Sequence, residues 1–199
     1  MDSIYSLPRG AGYKSEWLVI DGTNQEEIVQ KLKLAQCRRV SYGEGLKIIV
    51  NEGYSSKVIM ICPDYNGQNY IFGSCIVSFL YDPDRLAEIF GKFYRVYMYA
   101  TMRVSEAHYF GLIEKGEILR YYRFDDEDII SIGDPLPREL AQGINLPKSF
   151  EELDSTYGDD DSSFTDMDEE IIINLASGQT GVDEDDYPYD KEVIIGVMP

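Results

Sequence analysis

FYRVYMYATMRVSEAHYFGLIEKGEILRYYRF, residues 93–124, is the stretch whose reading decides the fold. Three apolar, tyrosine-rich runs are separated by short polar breaks. Their residues alternate with a period of two, the signature of strands whose side chains point to opposite faces. Tyr94, Val96, Met98 and Ala100 fall on one face of the first run, and Arg95, Tyr97, Tyr99 and Thr101 on the other. In the second run Val104, Glu106, His108, Phe110 and Leu112 alternate with Ser105, Ala107, Tyr109, Gly111 and Ile113. Glu114-Lys115-Gly116-Glu117 reads as a tight hairpin turn, and Ile118–Phe124 as the return strand. This is the expected centre of an antiparallel sheet.

Outward from it, Asp82-Pro83 predicts a helix start, with the carboxylate as cap and proline in the first turn, running to a stop at Gly91. Trp17–Ile20 predicts a strand, and Gln25–Ala35 a helix with Ile28, Leu32 and Ala35 on one stripe. From Cys37 the pattern reads as strand and turn: Arg38–Tyr42, Leu46–Val50, Lys57–Cys62, Tyr70–Phe72 and Cys75–Phe79, with Asn66-Gly67 as a hairpin signal. The expected fold class is therefore α+β: a mostly antiparallel, tyrosine-rich sheet with a few flanking helices and an acidic C-terminal lobe. Residues 1–150 are expected to form the sheet domain. Residues 151–199 form an acidic segment packed on, or appended to, the same domain. Within it, 166–176 reads as a helix with Ile171, Ile172 and Leu175 as its apolar patch, and 193–197 as a last strand or docking segment.

Charge separates the two regions. The 199 residues carry a net charge of −18, yet residues 151–199 hold 16 acidic side chains and only Lys191 as a base. Such a field repels nucleic acid and anionic membrane, and it speeds encounter with a basic partner. Its simplest alternative is a solvated, solubility-promoting tail. MDSIYSLPRG lacks a charged start followed by an apolar block, so no signal peptide is expected. No apolar run approaches the roughly 18 residues of a membrane helix. Cys37, Cys62 and Cys75 form no CxxC pair and read as reduced core residues, which places the chain in the cytoplasm.

The same stretch holds the candidate chemistry. His108 is the only histidine, and Glu106 two residues earlier shares its strand face, so the two side chains form a candidate acid–imidazole pair. With Arg103 and Arg120 they make a candidate pocket. Ser105 points to the opposite face, which leaves a general base without a nucleophile. A structural histidine is the simpler reading. Asp159, Asp160, Asp161, Asp166 and Asp168 are dense in oxygen ligands but lack the spacing of a calcium loop, so no metal and no cofactor is expected. Phosphate-binding glycine loops, HExxH and GxSxG are absent from the sequence.

Leu86–Gly91, then Arg103-Val104-Ser105-Glu106-Ala107-His108-Tyr109-Phe110, then Gly116-Glu117-Ile118-Leu119-Arg120-Tyr121-Tyr122, then Ile132-Gly133 with Glu139, resemble a pattern found in a group of small bacterial proteins. It is a strand carrying S-E-x-H, a hairpin strand G-x-I-x-R-x-Y, and a later acidic helix, to which Asp168-Glu169-Glu170 with Ile172, Leu175 and Ala176 is similar. These proteins resemble the immunity proteins of polymorphic toxin systems, and the likeness spans about residues 80–180. Gly178 stands where the group often has a tryptophan. The resemblance implies a non-catalytic protein that binds and neutralises a cognate basic toxin domain, of nuclease or deaminase class, by occluding its cleft. The partner-binding residues are then expected among Asp159, Asp160, Asp161, Asp166, Asp168, Glu169, Glu170, Asp183, Glu184, Asp185 and Asp186. Two alternatives stay open: a small enzyme using Glu106 and His108, and a non-catalytic scaffold or sensing module.

Overall fold

The computed structural model describes Pro8 and residues 15–52, 56–102, 105–125, 128–155, 164–180 and 187–199. Among these, nine strands form one antiparallel sheet: β1 (Glu16–Asp21), β2 (Ala35–Ser41), β3 (Val58–Ile61), β4 (Gln68–Phe72), β5 (Arg95–Met102), β6 (Ala107–Glu114), β7 (Glu117–Phe124), β8 (Ile129–Ile132) and β9 (Glu192–Val197). Their order across the sheet is β2-β9-β3-β4-β1-β5-β6-β7-β8. Seven helices accompany them: α1 (Gln25–Leu32), α2 (Tyr42–Asn51), α3 (Cys75–Leu80), α4 (Pro83–Phe90), α5 (Pro137–Ala141), α6 (Phe150–Asp154) and α7 (Glu169–Thr180).

The central strands are buried on both faces, which is why WLVI, VIMI and YIF are continuous apolar runs. One face carries Leu18, Ile20, Val96, Met98 and Ala100 under Ile28 of α1, Ile76 of α3 and Leu86 and Phe90 of α4. The other carries Trp17, Val19, Tyr97, Tyr99, Phe110 and Tyr122 under Tyr42 of α2 and Ile172, Leu175 and Ala176 of α7. The predicted alternation in β5 is thus the division between two cores. Lys115 and Gly116, both at positive φ (51° and 87°), close the β6–β7 hairpin where the sequence predicted it. Asp82 caps α4 by accepting from the Arg85 amide at 3.0 Å.

Two expected strands are helices. Leu46–Val50 lies in α2, which Ser41 caps by accepting from the Glu44 amide at 3.3 Å. Gly45 lets this helix approach the sheet: a Cβ there would lie 2.6 Å from both Met60 Sδ and Val193 Cγ2. Cys75–Phe79 lies in α3, after Gly73 (φ +155°) has turned the chain off β4 and over the first face. A short apolar run has no period of its own, and tertiary packing selects the helix. Cys62 and Cys75 are buried, but Cys37 is exposed because β2 is an edge strand. The last strand is interior: β9 pairs with both β2 and β3 and buries Val193, Ile194 and Ile195. Among the described residues, no helix is long and apolar enough to cross a membrane.

Glu16, at the start of β1, is 9% exposed, and desolvation pushes its carboxyl from the usual 4.5 up to about 7. The folded state therefore prefers the protonated acid. Its contribution is complete below pH 4.5 and is lost as pH rises through 7. Glu16→Gln is expected to leave stability at pH 4.5 nearly unchanged and to raise it at pH 8 by about 2–3 kcal/mol, read from urea denaturation at the two pH values. An equal response at both would contradict this account of Glu16.

Candidate functional site

β5 and β6 are joined by a reversal that closes on the Met102–Ala107 register pair. The Ser105 amide returns to the Met102 carbonyl at 3.1 Å, and Glu106 adopts φ +47°. Glu106 is therefore a turn residue, not a strand residue facing the same way as His108. The reversal still brings it to the same place, because Glu106 and His108 line one surface cleft of about 470 Å³.

The opposite wall comes from α7. Asp168 caps this helix, its carboxylate accepting from the Ile171 amide at 2.9 Å, and Glu169 and Glu170 occupy the first turn, where the helix dipole favours acids. Ile172, Leu175 and Ala176 are buried against the second core, so the acidic end of the helix is held beside β6 by its apolar face. Asp168, Glu169 and Glu170 all line the cleft, and Phe124 and Met167 supply its apolar surface.

His108 is 5% exposed and lies across the sheet from Thr101 and Phe124. Its Nδ1 is buried and has no hydrogen-bond partner among the described residues, and the same holds for the neighbouring Thr101 hydroxyl. Desolvation lowers the pKa of the ring below its usual 6.5, against the opposing pull of Glu169, Asp168 and Glu106. The imidazole is thus uncharged at neutral pH, in a cleft lined by four carboxylates. On the Glu169 side, one carboxylate oxygen, Oε1, is also buried and without a partner among the described residues.

Arg120 does not join this cleft. It is 3% exposed and makes a two-pronged pair with Glu139, itself 1% exposed, with Nη2 to Oε1 at 2.9 Å and Nε to Oε2 at 3.1 Å. Its Nη1 donates to Ser131 Oγ at 2.9 Å and to the carbonyls of Ile132 and Gly133. The guanidinium lies over both the Phe110 and Tyr122 rings, 5.4 Å from each centroid. Glu139 also accepts from the Leu136 amide at 2.7 Å. Arg120 therefore fastens β7 to β8 and α5, and of the four residues expected in the pocket Glu106 and His108 line the cleft. Arg103 lies outside the described residues, as do Asp159, Asp160, Asp161, Asp183, Glu184, Asp185 and Asp186. Asp166 is exposed, two positions before Asp168.

The walls Phe124 and Met167 escaped the sequence reading. Met167 had one signal, a single apolar residue between Asp166 and Asp168. Chemically, the cleft offers acceptors and negative charge around a neutral imidazole. Ser105 is no activated nucleophile there, since its hydroxyl donates to the Met102 carbonyl at 3.3 Å. Among the described residues, no group of three or more His, Cys, Asp or Glu side chains is arranged to hold a metal ion. A second cleft of about 310 Å³ lies beside edge strand β2, where burial raises the Cys37 thiol pKa and so disfavours the reactive thiolate. No family model matches the chain, and no curated protein or solved structure matches it either.

Proposed function

We propose that this chain is a non-catalytic, immunity-type protein of the cytoplasm that binds a basic toxin domain, of nuclease or deaminase class, and occludes its cleft. The observation that carries the reading is the acidic end of α7. Asp168, Glu169 and Glu170 converge with Glu106 on one cleft whose lining contains no lysine or arginine among the described residues. A protein surface of that kind complements a domain built to hold a polyanion. Residues 151–199 carry 16 acidic side chains against one base, as a segment for a basic partner would, and the resemblance of the Ser105–His108 and Gly116–Tyr122 segments to immunity proteins supports the same assignment.

The reading predicts a toxin domain encoded beside this chain's gene, and the test is co-expression with that domain. That domain alone is expected to arrest growth, and the chain is expected to relieve the arrest and to co-purify with it. Arrest that persists, with no complex on gel filtration, overturns the proposal.

A second reading is an enzyme that uses His108, favoured by the place of this histidine beside Glu106 in the wall of the cleft. Its discriminating result would be a growth phenotype lost in His108→Ala while the complex with the neighbouring domain persists. The binding account expects this variant to protect as wild type does, or to lose binding and protection together.

A further inference from the structure

We propose that α7 is a displaceable strap: it lifts off β5 and β6 as a unit while the sheet stays folded, and its seating makes or dismantles the acidic cleft. The inference goes beyond the binding role and does not depend on it. α7 packs on β5 and β6, over the face on which Tyr99 pairs with Phe110 and Thr101 with His108. Half of that block is polar, and it is poorly satisfied. Thr101 is fully buried, and its hydroxyl has no hydrogen-bond partner among the described residues; the same holds for His108 Nδ1. The helix side repeats the pattern. Glu169 Oε1, in the first turn of α7, is buried and unpartnered, and so is Nε of Arg138, the α5 residue whose Nη2 donates to the Asn174 carbonyl at 3.4 Å. Side chains of α1, α3 and α4, the helices of the opposite face, contribute no such atom among the described residues.

Buried polar atoms are normally satisfied, and one left unpaired costs the folded state about as much as one buried apolar side chain contributes. α7 seats three such apolar side chains, Ile172, Leu175 and Ala176, over these four polar atoms. Lifting the helix hydrates the polar atoms, so the seated state is held by a margin far smaller than the one that holds the sheet. The chain is fixed on either side of the helix. Before it, the Thr165 amide donates to the Asn145 carbonyl at 2.7 Å and the Asn145 amide donates to Thr165 Oγ1 at 3.0 Å. After it, the buried Tyr187 ring packs edge-on against Tyr42 and Tyr70. α7 is thus a strap between two anchors. Asp168, Glu169 and Glu170 travel with it, whereas Glu106 and His108 stay with the sheet, so the cleft they line together exists only while the strap is seated.

The experiment is native-state amide hydrogen exchange of the full chain, read by NMR under conditions where exchange follows the opening equilibrium. Residues 173–176 of α7 are expected to exchange at least about a hundredfold faster than the amides of β5 and β6. Ile28→Val, in α1 and the core of the opposite face, weakens the sheet with the strap seated or lifted alike. It is expected to speed exchange in β5 and β6 about threefold or more and to leave residues 173–176 unchanged. Thr101→Val removes one unpaired hydroxyl at nearly constant shape, and it is expected to slow exchange at residues 173–176 at least about fivefold. Residues 173–176 that exchange at the rate of β5 and β6, or that accelerate with them in Ile28→Val, overturn the strap. Unchanged or faster exchange at residues 173–176 in Thr101→Val overturns the unpaired atoms as the reason it lifts.

Discussion

Arg120→Met is expected to lower the unfolding free energy by about 3–5 kcal/mol, because it strands a charged partner inside the protein. Glu139 is 1% exposed and takes both prongs of the Arg120 guanidinium, leaving only the Leu136 amide as another donor. The same change releases Ser131 and the Ile132 and Gly133 carbonyls, so β8 and α5 lose their common anchor. The double change Arg120→Met/Glu139→Leu removes both charges and is expected to recover more than half of the loss. Urea denaturation of the two variants and the wild type checks this, and a cost below about 1 kcal/mol for Arg120→Met would show that the pair is not desolvated as its burial implies. Binding at the α7 cleft is expected to survive in whatever fraction of Arg120→Met remains folded, since Arg120 lines none of it.

Removing residues 192–199 is expected to abolish cooperative unfolding altogether. Residues 193–197 read in the sequence as a last strand or docking segment, and β9 lies between β2 and β3, hydrogen-bonded to both. Val193, Ile194 and Ile195 are each at most 5% exposed, and burying a side chain of this size contributes about 1.5–3 kcal/mol. Three of them approach the whole 5–15 kcal/mol stability of an ordinary domain before the lost ladder is counted. The cut also detaches β2 from the sheet, since β2 pairs with β9 alone. A sharp urea transition in the truncated chain would contradict the interior position of β9.

The central hairpins were legible in the sequence because a period of two and a Lys-Gly turn are local signals, whereas the shift in β6–β7 register at Leu112/Ile113 was not. What failed was also local. Leu46–Val50 and Cys75–Phe79 are too short and too apolar to carry a period, and contacts from elsewhere decide them, such as Gly45 against Met60 and Val193. The place of β9 in the sheet is a pairing between segments about 130–160 residues apart, which no local pattern encodes. The cleft divides in the same way. Glu106 and His108 were visible as a pair, although a turn at Glu106 rather than a shared strand face brings them together. That Glu169 would arrive opposite them depends on the packing of α7 on β5 and β6. Arg120 was conspicuous as a charge on a tyrosine-rich strand, but its partner Glu139 lies 19 residues on, and only the fold identifies the pair.

The account stands or falls on whether the acidic cleft is a surface for a basic protein. The direct measurement is the affinity of this chain for the basic toxin domain that the proposed function predicts beside its gene, by calorimetry at about 50 and 300 mM salt, a range over which the screening length of exposed charges falls by more than half. A saturable complex whose affinity drops at least tenfold between the two conditions, and drops less in Glu106→Gln/Glu169→Gln, is the predicted result. No complex, or an affinity indifferent to both salt and the double variant, would contradict it.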